Sequence, residues 1–217
     1  MPPEPARQLA DAARLLGLDL RDETLAKLIG YLALLERWNR VYNLTAVREP
    51  GEMLTRHLLD CLAVLPALVR HAAGRPLRIL DVGSGAGLPG VVLALVQADW
   101  DVSCVDAVAK KATFIRQAGA EFSLGNLHAL HARIEVMKVP QGGFDVIASR
   151  AFSSLADLVT LTRRHLAPEG VWMAMKGKRP DEELLALPPD ICVFHVEPLQ
   201  LPGLDAQRCL IWLRPAL

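Results

Sequence analysis

A short apolar run that ends in glycines constrains this chain most; residues 77–90 read L-R-I-L-D-V-G-S-G-A-G-L-P-G. The run is too short for a helix and is typical of a strand that is buried on both faces of a parallel sheet. Glycines at 83, 85 and 87 remove side chains, so that a ligand can approach the backbone. Pro89 has the φ of a first helical residue, and an apolar helix is expected after it. Strand, glycine turn and helix predict the nucleotide-cofactor edge of a doubly wound α/β sheet.

The glycine pattern of this turn is similar to the binding motifs of two cofactors. Gly85, Gly87 and Gly90 spell G-x-G-x-x-G, but the dinucleotide motif places its first glycine directly after the strand. Counted from the strand end, the pattern is D-x-G-x-G-x-G from Asp81, which resembles the S-adenosylmethionine (SAM) loop of class I methyltransferases. A tight turn without a ligand is the third interpretation.

Length and composition set the class of protein. The chain has 217 residues, 52% apolar and 22% charged, which suits one domain with a sizeable core. The charges of its 24 basic and 24 acidic residues cancel, so any RNA contact must come from a local basic patch. The scattered cysteines argue against a zinc site or a disulfide framework, and no run is long enough for a membrane span. We therefore expect a soluble cytoplasmic protein without a metal.

The first part of the chain has helical periodicity. We expect residues 1–70 to form an N-terminal helical extension packed on a core of residues 71–217, the whole being a single compact unit. The predicted helices are one that stops at Gly17, one capped by Asp22 and one from about Glu52 to Leu65. The segment Arg37–Arg48 interleaves aromatic and basic residues, and its aromatic side chains are either core anchors or ligand contacts.

Strands and helices alternate from residue 75 onward. We predict seven strands, of which the last two form an antiparallel finish to a mostly parallel sheet. Helices are expected at about Ala107–Ala118 and Leu155–Leu166, and a turn at Pro168–Gly170. The predicted strands are Leu77–Val82, Val102–Asp106, Leu127–Leu130, Phe144–Ser149, Val171–Lys176, Ile191–Val196 and Cys209–Leu213.

Several residues fall at the carboxyl ends of these strands, where such sheets bind ligands. Asp106 lies about 20 residues beyond the loop, where an acid either binds ribose hydroxyls or caps the next helix. Ile134 and Glu135 lie where methyltransferases hold adenine. Lys110 and Lys111 lie in the first turns of a helix, against the macrodipole, which indicates either an anionic partner or a solvated face.

Four segments resemble one known family, the small-subunit rRNA methyltransferase G family, also called glucose-inhibited division protein B. They are Arg37–Asp60, Asp81–Gly90, Phe144–Phe152 (F-D-V-I-A-S-R-A-F) and Ala174–Gly177. The resemblance runs from about Leu9 to Leu213 in unchanged order. It implies a class I SAM-dependent methyltransferase fold, Rossmann-like, and transfer of a methyl group from SAM to N7 of guanine 527 in the 530 loop of 16S rRNA.

The resemblance also implies residue roles. SAM contacts fall on Gly83, Leu88, Ile134, Glu135 and Arg150, and the glycine pattern adds Asp81, Gly85 and Asp106. No residue is assigned as the chemical catalyst, and Arg150 is the candidate for positioning. The family does not fix the RNA contacts; our candidates are Arg56, His57, Lys110, Arg116, Lys176 and Arg208.

Three other functions remain open. A small-molecule methyltransferase would transfer methyl groups without RNA. An assembly factor that keeps SAM as a structural ligand would bind RNA with strong salt dependence and transfer nothing. A NAD-dependent dehydrogenase is disfavoured by the register of the glycines. The expected partner is 16S rRNA within the small ribosomal subunit or a precursor.

Overall fold

The structure is a computed structural model that describes residues 4–150, 152–203 and 207–216. Within these residues seven strands form one sheet: β1 Arg78–Val82, β2 Asp101–Asp106, β3 Leu127–His131, β4 Phe144–Ser149, β5 Leu166–Lys176, β6 Ile191–Leu199 and β7 Arg208–Pro215. Their order is β3-β2-β1-β4-β5-β7-β6. The first five strands are parallel, and β7 pairs antiparallel with both β5 and β6. The expected α/β fold with its antiparallel finish is confirmed.

Helices precede the sheet and connect its strands. The α-helices are α1 Glu4–Leu15, α2 Asp22–Tyr42, α3 Pro50–Met53, α4 Asp60–Leu62, α5 Leu65–Ala72, α6 Gly90–Val96, α7 Ala109–Glu121, α8 Leu155–Thr162 and α9 Asp181–Leu185. Two 3₁₀ turns lie at Ile134–Val136 and Arg163–His165. No helix within these described segments is long and apolar enough to cross a membrane.

The two faces of the sheet carry separate apolar cores. Successive residues of β1 point to opposite faces of the sheet, as the pleat of a strand requires, so Ile79 lies in one core and Leu80 in the other. The larger core joins the sheet to α6 and α7 and also takes Leu9, Leu28 and Leu58 from the N-terminal helices. The smaller core packs α8 against the opposite face. The boundary expected at residue 70 lies within α5 and stays a prediction.

Three local predictions are wrong for identifiable reasons. Asp22 does not cap α2: Arg21 is the N-cap residue, and no side chain completes that cap. The segment 168–170 is a bulge inside β5 rather than a turn before it, because Phe144 pairs with Leu166 whereas Val146 pairs with Val171. The helix before that strand accordingly ends at Thr162 and not at Leu166.

The predicted third helix is interrupted by a π turn at Leu54–Leu59. The N–H of Asp60 donates to the carbonyls of Thr55 and His57. The carbonyl oxygen of Arg56, which a regular α-helix would pair with that same N–H, is therefore available to other donors. Such π turns are frequent at functional sites.

Candidate functional site

The glycine loop begins where the strand order of the sheet diverges. β1 ends at Val82 and Gly83 follows directly, while β2 and β4 pair with opposite sides of β1. Ligands of doubly wound sheets bind beyond the strand ends at such a point. The pattern from Asp81 is therefore in register with the strand end, and the dinucleotide pattern from Gly85 starts two residues late.

The glycines of the loop divide into two kinds. Gly83 and Gly85 have φ of +67° and +59°, and a Cβ built on either meets nothing nearer than 3.8 Å. A Cβ on Gly87 would lie 2.3 Å from Cγ2 of Val91. The first two glycines therefore leave backbone open to a ligand. The expectation that Gly87 also clears room for a ligand is wrong, because that glycine is required by packing against α6.

Asp106 ties the glycine loop to the start of α7. Its Oδ2 accepts the N–H of Gly85 at 3.0 Å, and its Oδ1 accepts the N–H of Val108 at 2.9 Å. Lys111 Nζ lies 3.5 Å from the same Oδ2. Asp106 is not the N-cap of α7, since Val108 occupies that position. The cation that opposes the macrodipole at Lys111 thus has its anionic partner within the chain.

A cavity of about 230 Å³ opens beside this loop. Its lining includes the apolar residues Ile134, Phe152 and Leu161 and the acidic residues Asp106 and Glu135. An apolar slot with carboxylate acceptors suits a base that carries a sugar with two hydroxyls. The full lining is Val82, Gly83, Val105, Asp106, Ala107, Ala132, Arg133, Ile134, Glu135, Phe152 and Leu161.

The cavity contains four predicted site residues and several that sequence reasoning missed. Gly83, Asp106, Ile134 and Glu135 all line it. Phe152 was missed, although it ends the same segment as Arg150; the aromatic side chain lies near Gly83. A larger groove of about 880 Å³ is lined by α1, α2 and the turn between them. The larger volume of the groove therefore does not make it the candidate cofactor site. The smaller cavity is the candidate because the glycine loop and two acidic residues meet there.

Asp81 and Leu88 lie beneath the loop rather than in the cavity. Asp81 is fully buried, and its Oδ2 accepts the N–H of Gly90, the first residue of α6, at 2.8 Å. Its Oδ1 has no hydrogen-bond partner among the described residues, and burial raises the pKa of this carboxyl to about 7. Leu88 is 2% exposed and belongs to the larger core.

Arg150, which follows β4, reaches toward the N-terminal helices. Its Nη1 donates to the free carbonyl of Arg56 at 3.1 Å and lies 3.5 Å from Oδ2 of Asp60. His57 Nδ1 lies 3.0 Å from the same carbonyl, and His57 Nε2 lies 2.9 Å from the hydroxyl of Thr45. Burial and then the charge of Arg150 lower the pKa of His57 to about 4, so the ring is neutral at pH 7.

Two other candidate cations are held by carboxylates. Arg208 Nε donates to Oδ1 of Asp60 at 2.8 Å, so the buried Asp60 serves both Arg208 and Arg150. Lys176 Nζ donates to both carboxylate oxygens of Glu183, at 2.9 and 2.8 Å. Each of these cations retains a partly exposed side chain.

The remaining RNA candidates differ in exposure. Arg56, Lys110 and Arg116 are exposed, whereas His57 is buried. Lys110 Nζ donates to the carbonyl of Tyr42 at 2.7 Å. Tyr42 is 43% exposed, and Trp38 packs between it and Phe114, with ring centroids 5.1 and 5.6 Å away. Trp38 is therefore an anchor for α2 on α7, and the RNA role of these cations stays a prediction.

The sheet order, the glycine loop after β1 and the cavity at the switch point define a class I methyltransferase fold. A family model described as "rRNA small subunit methyltransferase G" matches residues 24–211, more than half of the chain. This chain belongs to that family, which is a family of RNA methyltransferases.

Curated relatives agree over nearly the full length. A protein named ribosomal RNA small subunit methyltransferase G from Acidovorax sp. (strain JS42) is 56% identical over 215 residues, covering 95% of this chain and 94% of the relative. A protein of the same name from Methylibium petroleiphilum is 58% identical over 208 residues, covering 96% of this chain and 93% of its own.

Solved structures support the fold. A SAM-dependent methyltransferase from Aquifex aeolicus superposes with a TM-score of 0.54 at 18% identity, covering 76% of this chain and 97% of its own. At that identity the likeness shows the fold alone, and the chemistry rests on the family.

Proposed function

We propose that this chain transfers a methyl group from SAM to N7 of guanine 527, in the 530 loop of 16S rRNA. Its substrate is the small ribosomal subunit or a precursor of it in the cytoplasm. The observation that carries the proposal is the open backbone at Gly83 and Gly85 beside a cavity lined by Asp106, Ile134 and Glu135. This arrangement stands in a chain that belongs to an rRNA methyltransferase family.

The residues of the cavity fit adenosine. In our assignment the base lies against Ile134 and Phe152, and the ribose hydroxyls donate to Asp106. Both oxygens of Asp106 already accept a backbone N–H, which fixes the carboxylate. Lys111 also faces Oδ2, whereas Oδ1 retains a further lone pair for a ribose hydroxyl. Glu135 accepts from the exocyclic amine or a hydroxyl. Asp81 and Leu88 support the loop from below, in keeping with their burial.

SAM supplies an electrophilic methyl group on a sulfonium, a good leaving group. Guanine N7 offers an in-plane lone pair and bears no proton, so the chain needs no general base for this reaction. Its task is to align the acceptor with the methyl group, and orientation of this kind can lower a barrier by roughly 7–11 kcal/mol in favourable systems. Arg150 is our candidate for this positioning, because it joins the end of β4 to the π turn.

RNA binding in this proposal depends on a local patch, since the chain has no net charge. Arg56, Lys110 and Arg116 are exposed and are the first candidates for phosphate contacts. Arg208 and Lys176 contribute their partly exposed cations, and His57 acts by supporting the π turn.

The direct test uses purified protein, methyl-labelled SAM and three acceptors. These are small subunits from cells that lack the protein, free 16S rRNA, and a cell extract depleted of RNA. We expect label in the subunits. Label only in the RNA-free extract would support a small-molecule methyltransferase, and RNA binding without any label would support an assembly factor.

A further inference from the structure

The loop at residues 132–137 forms one wall of the cavity, through Ala132, Arg133, Ile134 and Glu135. It contains a single 3₁₀ turn at Ile134–Val136, followed by extended backbone at Met137. One turn of 3₁₀ helix has few hydrogen bonds of its own, so its carbonyl groups need partners from outside.

Arg164 supplies those partners from the 3₁₀ turn after α8. Its Nη2 donates to three carbonyl oxygens of the loop, at 3.2 Å from Ile134, 2.6 Å from Glu135 and 3.0 Å from Met137. Its Nε donates to Nε2 of the buried His165 at 3.2 Å, which fixes the orientation of the guanidinium. One side chain thus binds three carbonyl groups at the C-terminal end of the loop turn.

The positive charge of Arg164 is favourable beside the carbonyl groups at the end of the loop turn. Carbonyl groups at the end of a helical turn carry the negative end of the peptide dipoles, and a cation stabilises them. All three carbonyls face one nitrogen, Nη2, and the planar guanidinium holds that nitrogen in place because its Nε contacts His165, which an ammonium group cannot reproduce. Without Arg164 the loop keeps its apolar packing against α8 and the contact at 3.2 Å between Nε2 of His165 and the carbonyl of Ile134. It loses the hydrogen bonds to the carbonyls of Glu135 and Met137, and its cavity-forming conformation becomes one of several.

We propose that Arg164 is a positioning residue that holds the 132–137 loop in the conformation that binds the adenosine part of SAM. The inference rests on the proposed function, since it assigns the adenosine to this cavity. Arg164 acts through the backbone of the loop and does not itself line the cavity. The apparent dissociation constant for SAM is the intrinsic constant divided by the fraction of molecules in which the loop is in place, so it rises as that fraction falls.

The test measures SAM and S-adenosylhomocysteine binding by calorimetry, without RNA, for the wild type, Arg164→Ala and Arg164→Lys. We expect Arg164→Ala to weaken both ligands about tenfold, which is the lower end of the range for hydrogen bonds to a charged group, because Arg164 is exposed. Arg164→Lys retains the charge without the Nε contact to His165 and should recover part of the loss. It also keeps the test valid if the alanine variant does not fold.

The neighbouring Arg163 is a matched control. It carries the same charge, is 47% exposed, and pairs with Asp190 instead of the loop. Arg163→Ala should leave both dissociation constants unchanged. A change of net charge alone would alter the affinity for SAM, which carries a sulfonium, but not that for S-adenosylhomocysteine, whose sulfur is neutral. Equal losses of affinity for the two ligands therefore support the positioning role.

Kinetics separate positioning from a general loss of structure. In Arg164→Ala the KM for SAM should rise while kcat at saturating SAM stays at the wild-type value, because bound ligand restores the loop. Unchanged ligand binding in both Arg164 variants, or a loss that Arg163→Ala reproduces, would overturn the inference. Failure of the wild type to bind SAM would instead overturn the proposed function.

Discussion

The hydroxyl of Tyr31 donates to the carbonyl oxygen of Ala86 at 2.6 Å, joining α2 to the glycine loop across 55 positions of the sequence. Tyr31 is fully buried and Ala86 is 4% exposed, so water does not replace this bond. The N-terminal helices therefore hold the backbone of the cofactor loop directly. Removal of a donor from a buried carbonyl leaves its desolvation uncompensated.

Tyr31→Phe should accordingly lower the free energy of unfolding by about 1–3 kcal/mol, measured by urea denaturation. We expect SAM affinity to fall as well, since the loop loses a support. Tyr42→Phe is the matched control, because Tyr42 is 43% exposed, and it should change stability by less than about 0.5 kcal/mol. Equal effects of the two substitutions would contradict this account of the Tyr31 bond.

Asp60→Asn should impair turnover more than SAM binding. The substitution removes the one carboxylate that faces both Arg150 and Arg208. We expect a loss of about 1–3 kcal/mol in stability and a fall in kcat of about tenfold or more, because Arg150 loses its carboxylate partner and keeps only its hydrogen bond to the carbonyl of Arg56. Urea denaturation and a methyl-transfer assay at saturating SAM measure the two effects.

Asp11→Asn provides the comparison for Asp60. It breaks an ion pair with Arg14 in which both side chains are at least 70% exposed, and such pairs contribute about 0–1 kcal/mol. Wild-type turnover in Asp60→Asn would refute the positioning role that we assign to Arg150.

His57 should make stability depend on pH. The unfolded chain binds a proton on this imidazole near pH 6.5, and the folded chain only near pH 4. Because the unfolded state binds more protons within that window, the free energy of unfolding falls as pH drops from about 6.5 to about 4. The contribution is about 3 kcal/mol in total. His57→Gln should lack it, so its unfolding curves, compared with the wild type at several pH values, should converge toward pH 4.

Asp81 should make stability depend on pH in the direction opposite to that of His57. Burial raises its pKa from 3.8 to about 7, so the folded state binds more protons between these values. Its contribution to stability is therefore present below about pH 4 and is lost as pH rises through 7. Asp81→Asn keeps a side-chain acceptor for Gly90 without this charge, and it should gain stability relative to the wild type by about 4 kcal/mol from pH 4 to pH 8. Parallel stability curves for the two proteins would show that Asp81 does not titrate in this range.

The core strands were predictable because each is a short apolar run between polar turns. The run at 79–82 and the run at 144–149 both occupy central strands, as expected. The glycine loop and Asp106 were predictable because strand ends in such sheets meet at one edge. The 168–170 bulge was missed because Pro and Gly signal a turn, and only the pairing with β4 shows that the strand continues.

Other features depend on partners that are distant in sequence. Nothing near Arg208 indicates that Asp60, 148 positions earlier, holds its guanidinium. The π turn was missed because one inserted residue barely disturbs the helical periodicity. The role of Arg164 was missed because its acceptors are backbone carbonyls about 30 residues away, which leave no mark in the sequence.

The position of the methyl group tests the central claim most directly. Small subunits from cells that lack the protein are incubated with SAM and either the wild type or Gly83→Val, in which a branched side chain must adopt a φ of +67°. Chemical cleavage at 7-methylguanine then maps the product. We expect one new cleavage, at guanine 527, with the wild type alone. Cleavage at another nucleotide, or labelled subunits without any 7-methylguanine, would contradict it.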